Sequence, residues 1–389
     1  MQIKQKQIAF LAFAMYFLTG AACLVVGSSL PQLVKMYGMP LDKVVLLGSA
    51  YALGRVATVY ITGHLVEKIG PMKVLAGGVI LVTIFFIGIP TMPSFYLGVI
   101  FAFLGGAGMG AQDTVCPVLL SIAFKKNYEG SLSAGQALFG LGCFTTPLLV
   151  GVMLSINQPF YYSYYILLVV PVVILAVIPF TKVDLKDHVE IQEESVKPLY
   201  VKHKVLAYGA ILVVCGAYCA VVNSIGLYTS SYAQHLGISA ANAAFMLTVY
   251  NVGAVIGAFA FVFILRKVKP QVILIFNSVI ALFAMAAVLF IKNMAVYFIG
   301  LFIAGVFLGV LFSVIIAIAT RIGYLRIGIA SALVATAAGA SDILTPVITG
   351  ALVGFFGIVA SYYYVILMIV ITLIATIVLQ MNISEKNKK

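Results

Sequence analysis

Three charged residues lie deep inside long apolar segments and are the first candidates for chemistry. Arg55, Asp113 and Asp342 each lie about nine to fourteen residues from one end of the apolar segment that contains them, a depth of roughly 14 to 21 Å in a helix. A charge at the bilayer centre costs at least ~2.5 kcal/mol, so each side chain should face a partner or a water-accessible centre. The shared depth predicts one layer near the membrane midplane, where transporters bind substrates and coupling ions.

The three residues should have different roles. Arg55 keeps its proton and can only attract an acid, an anion or a polar substrate, so we predict that it binds substrate or acts in gating. An aspartate in apolar surroundings binds a proton more readily when a guanidinium neighbour moves away. We therefore predict proton coupling at Asp113, the first choice, and at Asp342. The alternative for each residue is a purely structural ion pair.

Uncharged polar side chains at similar depth are candidates for binding the solute. Amide groups offer the paired donors and acceptors that sugar hydroxyls need, although hydrogen bonds between helices are an equally good explanation. Asn277, in the ninth apolar segment, is discounted. The predicted substrate-binding or gating residues besides Arg55 are Gln112, Gln136, Asn223, Asn251, Tyr51 and Tyr250.

The composition excludes most classes of protein. Of 389 residues, 63% are hydrophobic and only 9% are charged, and the mean hydropathy is +1.16. So few charges cannot solvate a globular surface of this size, which excludes a soluble enzyme or a nucleic-acid-binding protein. The five cysteines fall inside apolar runs without ligand-like spacing to histidine, so we expect no metal site and no cofactor. A membrane-embedded enzyme would need a clustered catalytic set, which the sequence lacks.

Twelve apolar segments are long enough to span a membrane as helices. They cover residues 8–30, 43–65, 72–91, 95–122, 131–155, 161–180, 204–228, 241–265, 271–291, 294–319, 328–351 and 356–380. If the N-terminus is cytoplasmic, nineteen Lys and Arg residues lie on the inner side and three, Lys35, Lys43 and Lys292, on the outer side. This asymmetry predicts a multi-pass protein of the cell membrane with both termini in the cytoplasm.

The chain divides into two related halves. Residues 181–203 hold the only sustained polar stretch and predict a cytoplasmic linker between six-helix bundles at 1–180 and 204–389. A shift of 199 residues aligns the halves without a gap. The identities include Tyr51/Tyr250, Gly54/Gly253, Lys68/Lys267, Gly106/Gly305, Gly110/Gly309 and Pro147/Pro346. Parallel repeats about an axis along the membrane normal predict a carrier whose halves rock around a central site.

The loop after the second span resembles the loop signature of the major facilitator superfamily, G-x-L-a-D-r-x-G-r-k. Gly63, Glu67, Lys68 and Gly70 occupy matching positions, with Glu67 where Asp is usual and Pro71 where a basic residue is usual, and Lys73 supplies a basic residue just after the signature. The resemblance implies an all-α integral membrane protein with twelve helices in two pseudo-symmetric halves. It also implies that spans 2 and 11 pack together, which makes Arg55 and Asp342 a candidate gate pair.

Within that superfamily the chain looks most like the fucose-permease-type sugar:proton symporters. Residues 108–117 are similar to a glycine-rich run followed by E-T-A-A-N-P, and residues 133–139 to a segment with A-Q-T-F. Aligned on Pro117, Gln112 rather than Asp113 meets the acid of that branch. Drug antiporters usually carry an Arg in span 4, and residues 100–106 contain none.

These observations predict a monomeric secondary transporter that moves a small polar solute, with a sugar as one candidate, by proton-coupled alternating access. Its partners would be the solute, H+ and the lipid bilayer, with no nucleic acid. The main alternative is a proton-coupled exporter of amphipathic or drug-like compounds. A passive channel is less favoured, because it would not need two halves and a long linker.

Overall fold

The computed structural model describes residues 3–124, 128–181, 183, 199–264, 268–291, 293–322 and 327–383. These residues form twelve helices that are long and apolar enough to cross a membrane, the number that the sequence predicts. We number them spans 1 to 12. They are Gln5–Tyr37, Leu41–Ile69, Pro71–Thr91, Phe95–Ala123, Ala134–Ser155, Tyr161–Phe180, Lys204–His235, Ala240–Phe261, Pro270–Phe290, Met294–Ala319, Leu333–Phe356 and Val359–Asn382.

Several helices extend beyond their apolar windows. The helix of span 1 runs over Ile3–Tyr37 and includes Pro31, whereas the sequence predicts only residues 8–30. Span 7 continues seven residues past its predicted end, to His235. Hydropathy marks the part of a helix that lies in hydrocarbon, and polar turns at either end remain helical outside that layer. The helices of spans 5, 8 and 11 cover Tyr128–Ser155, Ala240–Ile264 and Ile327–Phe356.

Three spans are interrupted. Span 2 begins with the short helix Leu41–Val44 and continues as Leu46–Ile69. Span 6 consists of Tyr161–Leu167, Val169–Val177 and a final 3-10 turn, Ile178–Phe180. Span 10 is divided into Met294–Leu308 and Leu311–Arg321, with Gly309 and Val310 between the two helices. The sequence predicts span 10 as one continuous helix, and the division matters below because Asn277 of span 9 donates a hydrogen bond beside it.

The contacts divide the chain into two compact units. Unit 1 contains residues 1–191 and 229–248, and unit 2 contains residues 192–228 and 249–389. In unit 1, span 4 packs extensively on spans 2 and 3, and span 1 packs on span 5. In unit 2, span 9 packs on spans 10 and 12. Most of the predicted linker, residues 182 and 184–198, lies outside the described residues.

Each unit contains the same close helix contact. A methyl group at Gly106 of span 4 would overlap the carbonyl oxygen of Tyr51 in span 2. A methyl group at Gly305 of span 10 would overlap the carbonyl oxygen of Tyr250 in span 8 in the same way. Both residues of the second contact are 199 positions after those of the first. The internal repeat therefore describes packing as well as sequence, because small residues let equivalent helix backbones touch.

Candidate solute and proton site

Arg55 and Asp113 form an ion pair between spans 2 and 4. The guanidinium Nε of Arg55 donates to Oδ2 of Asp113 at 2.7 Å. Arg55 lies about 14 residues, or roughly 21 Å, from either end of span 2, so the pair belongs to the middle of the bundle. The two side chains keep 33% and 26% of their surface accessible. A direct charge-assisted hydrogen bond of this length is stronger than one between neutral groups.

The two helices that carry this pair are held together along their length. A side chain at Gly110 would come within 2.9 Å of the carbonyl oxygen of Arg55, so the backbones touch beside the ion pair. The hydroxyl of Thr62 donates to the carbonyl oxygen of Gly110 at 3.2 Å, and that of Thr114 donates to Thr62 Oγ1 at 3.2 Å. These threonines are functional candidates that the sequence reading missed, although Thr62 lies about two helical turns after Arg55.

This packing limits what the ion pair can do. Arg55 and Asp113 belong to the same unit and to two helices in backbone contact, so a movement of unit 1 as a whole carries both side chains together. The pairing of Arg55 with Asp342, expected from the resemblance, stays a prediction.

Asp342 has an amide partner in unit 2. Nδ2 of Asn223 in span 7 donates to Oδ1 of Asp342 in span 11 at 2.5 Å. The residue before Asp342 fixes the same helix pair, because Ser341 Oγ donates to the carbonyl oxygen of Gly216 at 2.7 Å. The structure thus brings together two residues, Asn223 and Asp342, that the sequence singles out separately. An amide N–H can donate to a carboxyl oxygen whether or not the acid carries a proton.

Three other predicted residues of unit 1 lie in different surroundings. Gln112 is buried, and its Oε1 accepts a hydrogen bond from the Thr19 hydroxyl at 3.1 Å. Tyr51 is buried, and its hydroxyl contacts the sulfur of Met109 at 3.5 Å. Both arrangements are helix–helix contacts of the kind that the sequence leaves open as the alternative. Gln136 of span 5, by contrast, is exposed.

In unit 2, Tyr250 and Asn251 are neighbours on span 8, and both are buried. Tyr250 supplies the carbonyl group against which Gly305 packs. Its backbone therefore belongs to the contact between spans 8 and 10, as that of Tyr51 does in unit 1.

Span 7 carries polar groups that the sequence reading did not select. Ser224, Ser230 and Ser231 are buried, and their hydroxyl oxygens have no hydrogen-bond partner in the part of the chain that the structure describes. The same is true of Nε2 of Gln234 on this helix. Buried polar groups of this kind are commonly satisfied by water or by a ligand. The run of serine and threonine beginning at Ser224 was a signal in the sequence.

Asn277 has a structural role. It is fully buried on span 9, and its Nδ2 donates to the carbonyl oxygen of Phe307 at 2.9 Å. Phe307 lies in the last turn before the division of span 10, where helix carbonyls lose their intrahelical donors. Asn277 therefore supplies a donor that the interrupted helix lacks.

The loop signature forms the turn between spans 2 and 3. Gly70 has φ of +90°, a conformation that favours glycine, and it separates Ile69, the last residue of span 2, from the Pro71 that begins span 3. Glu67, Lys68 and Lys73 are exposed, as a loop at a membrane surface requires. Gly63 lies within span 2, where a side chain would come 3.7 Å from the methyl group of Thr114.

Twelve apolar helices with charged and amide side chains between them define a multi-pass membrane protein of the transporter class. The sequence profile of the Major Facilitator Superfamily matches residues 10–323, and the chain belongs to this superfamily. The family identifies it as a transporter rather than an enzyme.

Individual relatives agree with this placement. The uncharacterized MFS-type transporter YfkL of Bacillus subtilis is 25% identical over 349 residues, which cover 86% of each chain. The inner membrane transport protein YdiN of Escherichia coli is 25% identical over 300 residues, 75% of this chain and 70% of its own.

A solved structure supports the fold. The crystal structure of a bacterial homologue of the human lysosomal transporter Spinster superposes with a TM-score of 0.73 at 12% identity. The superposition covers 99% of this chain and all of the other. The family match confirms the superfamily resemblance, and the fucose-permease branch stays a prediction.

Proposed function

We propose that this protein is a secondary active transporter that moves a small polar solute, with sugars as the first candidates, in symport with protons. The observation that carries the proposal is the hydrogen bond from Asn223 to Asp342 between two membrane-spanning helices. A titratable acid held by a neutral donor can exist in either charge state without losing its partner.

Asp113 and Asp342 have different roles in this proposal. Asp113 stays beside Arg55, because the close packing of spans 2 and 4 keeps the ion pair together. Asp342 takes up a proton on one side of the membrane and releases it on the other. The proton therefore moves through unit 2, while the ion pair gives unit 1 a fixed polar surface.

The solute is polar and hydroxyl-rich in this proposal. The buried hydroxyls of Ser224, Ser230 and Ser231 and the amide of Gln234 can both donate and accept hydrogen bonds. Such groups suit water and sugar hydroxyls, and an amphipathic solute would leave them unsatisfied at a cost. The positive charge of the predicted inner loops supports a cytoplasmic location for both termini.

The test is transport by the purified protein in liposomes. External pH is recorded while monosaccharides, nucleosides and organic cations are added one at a time. Alkalinisation on addition of a sugar is the expected result, because a symporter removes external protons with its solute. Acidification on addition of an organic cation would instead indicate the alternative, a proton-coupled exporter. Silence across the whole panel would contradict the proposal for these solute classes.

Substitutions then assign the proton site. Asp342→Asn should abolish alkalinisation but retain exchange of the labelled sugar across the membrane, because the amide preserves shape and removes titration. Asp113→Asn should reduce both activities together. Asp42→Asn, at the start of span 2, is the matched control and should change neither. Full proton-driven accumulation in Asp342→Asn would refute the role of Asp342.

A further inference from the structure

The chain just before span 7 is attached to the ends of spans 10 and 12. The backbone N–H of Leu199 donates to the carbonyl oxygen of Arg321 at 2.5 Å, and Leu199 pairs with Ile322 as a parallel bridge. The hydroxyl of Tyr208, in the first turns of span 7, donates to the carbonyl oxygen of Ile322 at 2.8 Å. We call residues 199–203 the clasp segment. Its first contact holds the end of the second helix of span 10.

The second contact of the clasp segment is made by Asn382, the last residue of span 12. Nδ2 of Asn382 donates to the carbonyl oxygen of His203 at 2.6 Å, and its Oδ1 accepts from the backbone N–H of His203 at 2.9 Å. The backbone carbonyl of Asn382 accepts from Lys202 N–H at 2.9 Å, and Val201 pairs with Ile383 as an antiparallel bridge.

Two residues of the clasp contacts are buried, one on each side. Asn382 is 3% exposed and Val201 is 7% exposed. Hydrogen bonds protected from competing water are the ones that persist. A single amide side chain that satisfies both backbone groups of one residue also fixes the register of the segment.

The held element is the second helix of span 10. Leu311–Arg321 has only 11 residues and is separated from the first helix by Gly309 and Val310. A helix this short depends on tertiary contacts for its position. On the N-terminal side of the division, Asn277 donates a hydrogen bond to the carbonyl oxygen of Phe307. The ring of Phe312 stacks on Tyr218, with centroids 6.5 Å apart, but that contact lies near the start of the helix. The other end is held by the clasp segment.

We propose that Asn382 is a positioning residue, and that with the clasp segment it fixes Leu311–Arg321 to the ends of spans 7 and 12. This inference does not depend on the identity of the solute or on proton coupling.

Hydrogen–deuterium exchange of the purified full-length protein tests the clasp without a substrate. Asn382→Ala removes two hydrogen bonds, so amide exchange in the peptides of Leu311–Arg321 should rise about 10- to 30-fold. Asn382→Asp keeps an acceptor for His203 N–H and loses the donor, so it should give an intermediate rise. Gln380→Ala, an exposed amide on the same helix, is the matched control and should leave exchange unchanged.

A disulfide should replace the lost contact. Antiparallel bridge partners place their Cα atoms about 4.5 to 5.5 Å apart, within reach of a disulfide, so Val201→Cys with Ile383→Cys should cross-link in a background lacking the five native cysteines. Oxidation should restore protection of Leu311–Arg321 in Asn382→Ala, and a reducing agent should remove it.

Several results would overturn the proposal. Unchanged amide exchange of Leu311–Arg321 in Asn382→Ala would show that Asn382 does not position this helix. An equal rise of amide exchange in spans 2 and 4 would indicate that the whole protein is destabilised. Failure of the cysteine pair to cross-link in the cysteine-free background with Asn382 intact would contradict the docking itself, even if Asn382→Ala cannot be purified. A cross-link that forms without restoring protection would show that the clasp segment does not position the second helix of span 10.

Discussion

Replacing Gly106 by alanine is the sharpest test of how the ion pair is supported. The added methyl group would overlap the carbonyl oxygen of Tyr51 and lie 2.7 Å from its carbonyl carbon and 3.0 Å from the nitrogen of Arg55. All three atoms belong to the backbone of span 2, so no side-chain rotation can relieve the overlap. Ordinary carbon contacts are ~3.5–4.0 Å, so the helices must separate by about 1 Å or more.

The separation has an energetic and a geometric consequence. Overpacking that forces a backbone shift costs about 1–3 kcal/mol, and we expect the upper half of that range because the opposing atoms are rigid. The same shift stretches the 2.7 Å contact between Arg55 and Asp113 towards 4 Å or tilts it out of line. Stability and transport should therefore fall together.

The measurement compares two glycines in neighbouring helices. Thermal unfolding in detergent and liposome transport are recorded for Gly106→Ala and for Gly77→Ala, whose added methyl group would meet no atom within 4 Å. Gly77→Ala should be neutral or slightly stabilising, because alanine favours the helix by up to ~1 kcal/mol over glycine. Gly305→Ala should behave like Gly106→Ala in unit 2. Equal melting temperatures for Gly106→Ala and Gly77→Ala would refute the close-contact argument.

Three further outcomes follow from individual contacts. In a double-mutant cycle, the double variant Arg55→Gln/Asp113→Asn should lose less unfolding free energy than the two single variants lose in total. The difference, measured by thermal unfolding, should be about 1–2 kcal/mol, and a difference near zero would contradict the pairing. Asn277→Ala should cost about 1–3 kcal/mol by leaving the Phe307 carbonyl without its donor, whereas the adjacent Ser278→Ala should cost little, and similar losses for both would argue against this role. Tyr164→Phe removes a buried 2.6 Å hydrogen bond to a serine of span 1 and should lower the free energy of unfolding by about 1 kcal/mol, measured by the same method; no change would show the bond to be dispensable.

The number of spans could be predicted from the sequence because hydropathy reports directly on the bilayer. The division of span 10 could not. Gly309 aligns with Gly110 of span 4, and span 4 is one continuous helix. The difference lies on a neighbouring helix, where the position of Asn277 in span 9 is occupied by Gly78 in span 3. Gly78 packs closely on span 4, whereas Asn277 donates to span 10. Such a tertiary contact has no signature within span 10 itself.

The candidate site could be predicted only in part, for a related reason. The sequence identifies Arg55, Asp113 and Asp342 because charges are costly inside a bilayer. It does not identify the partners that each finds. Arg55 lies beside Asp113 because spans 2 and 4 touch at their glycines, and Asp342 meets Asn223 because spans 7 and 11 are neighbours. Adjacency of helices distant in the chain depends on the assembled fold.

The two units make equivalent backbone contacts but carry different polar side chains at them. Position 58 is a threonine whose hydroxyl lies 3.4 Å from the carbonyl oxygen of Ala107, and its equivalent, Gly257, packs directly on the carbonyl oxygen of Val306. The same backbone contact is thus made with a side chain in one unit and without one in the other.

The charged residues also differ between equivalent positions of the two units. The positions equivalent to Arg55 and Asp113 are Ala254 and Phe312, so the contact between spans 8 and 10 carries no ion pair at this place. Conversely, Asp342 aligns with Cys143 of unit 1. Each unit therefore adds one polar pair to a different helix contact of a common apolar frame. Because the glycine contacts persist where the charges are absent, the frame does not need the charges to form.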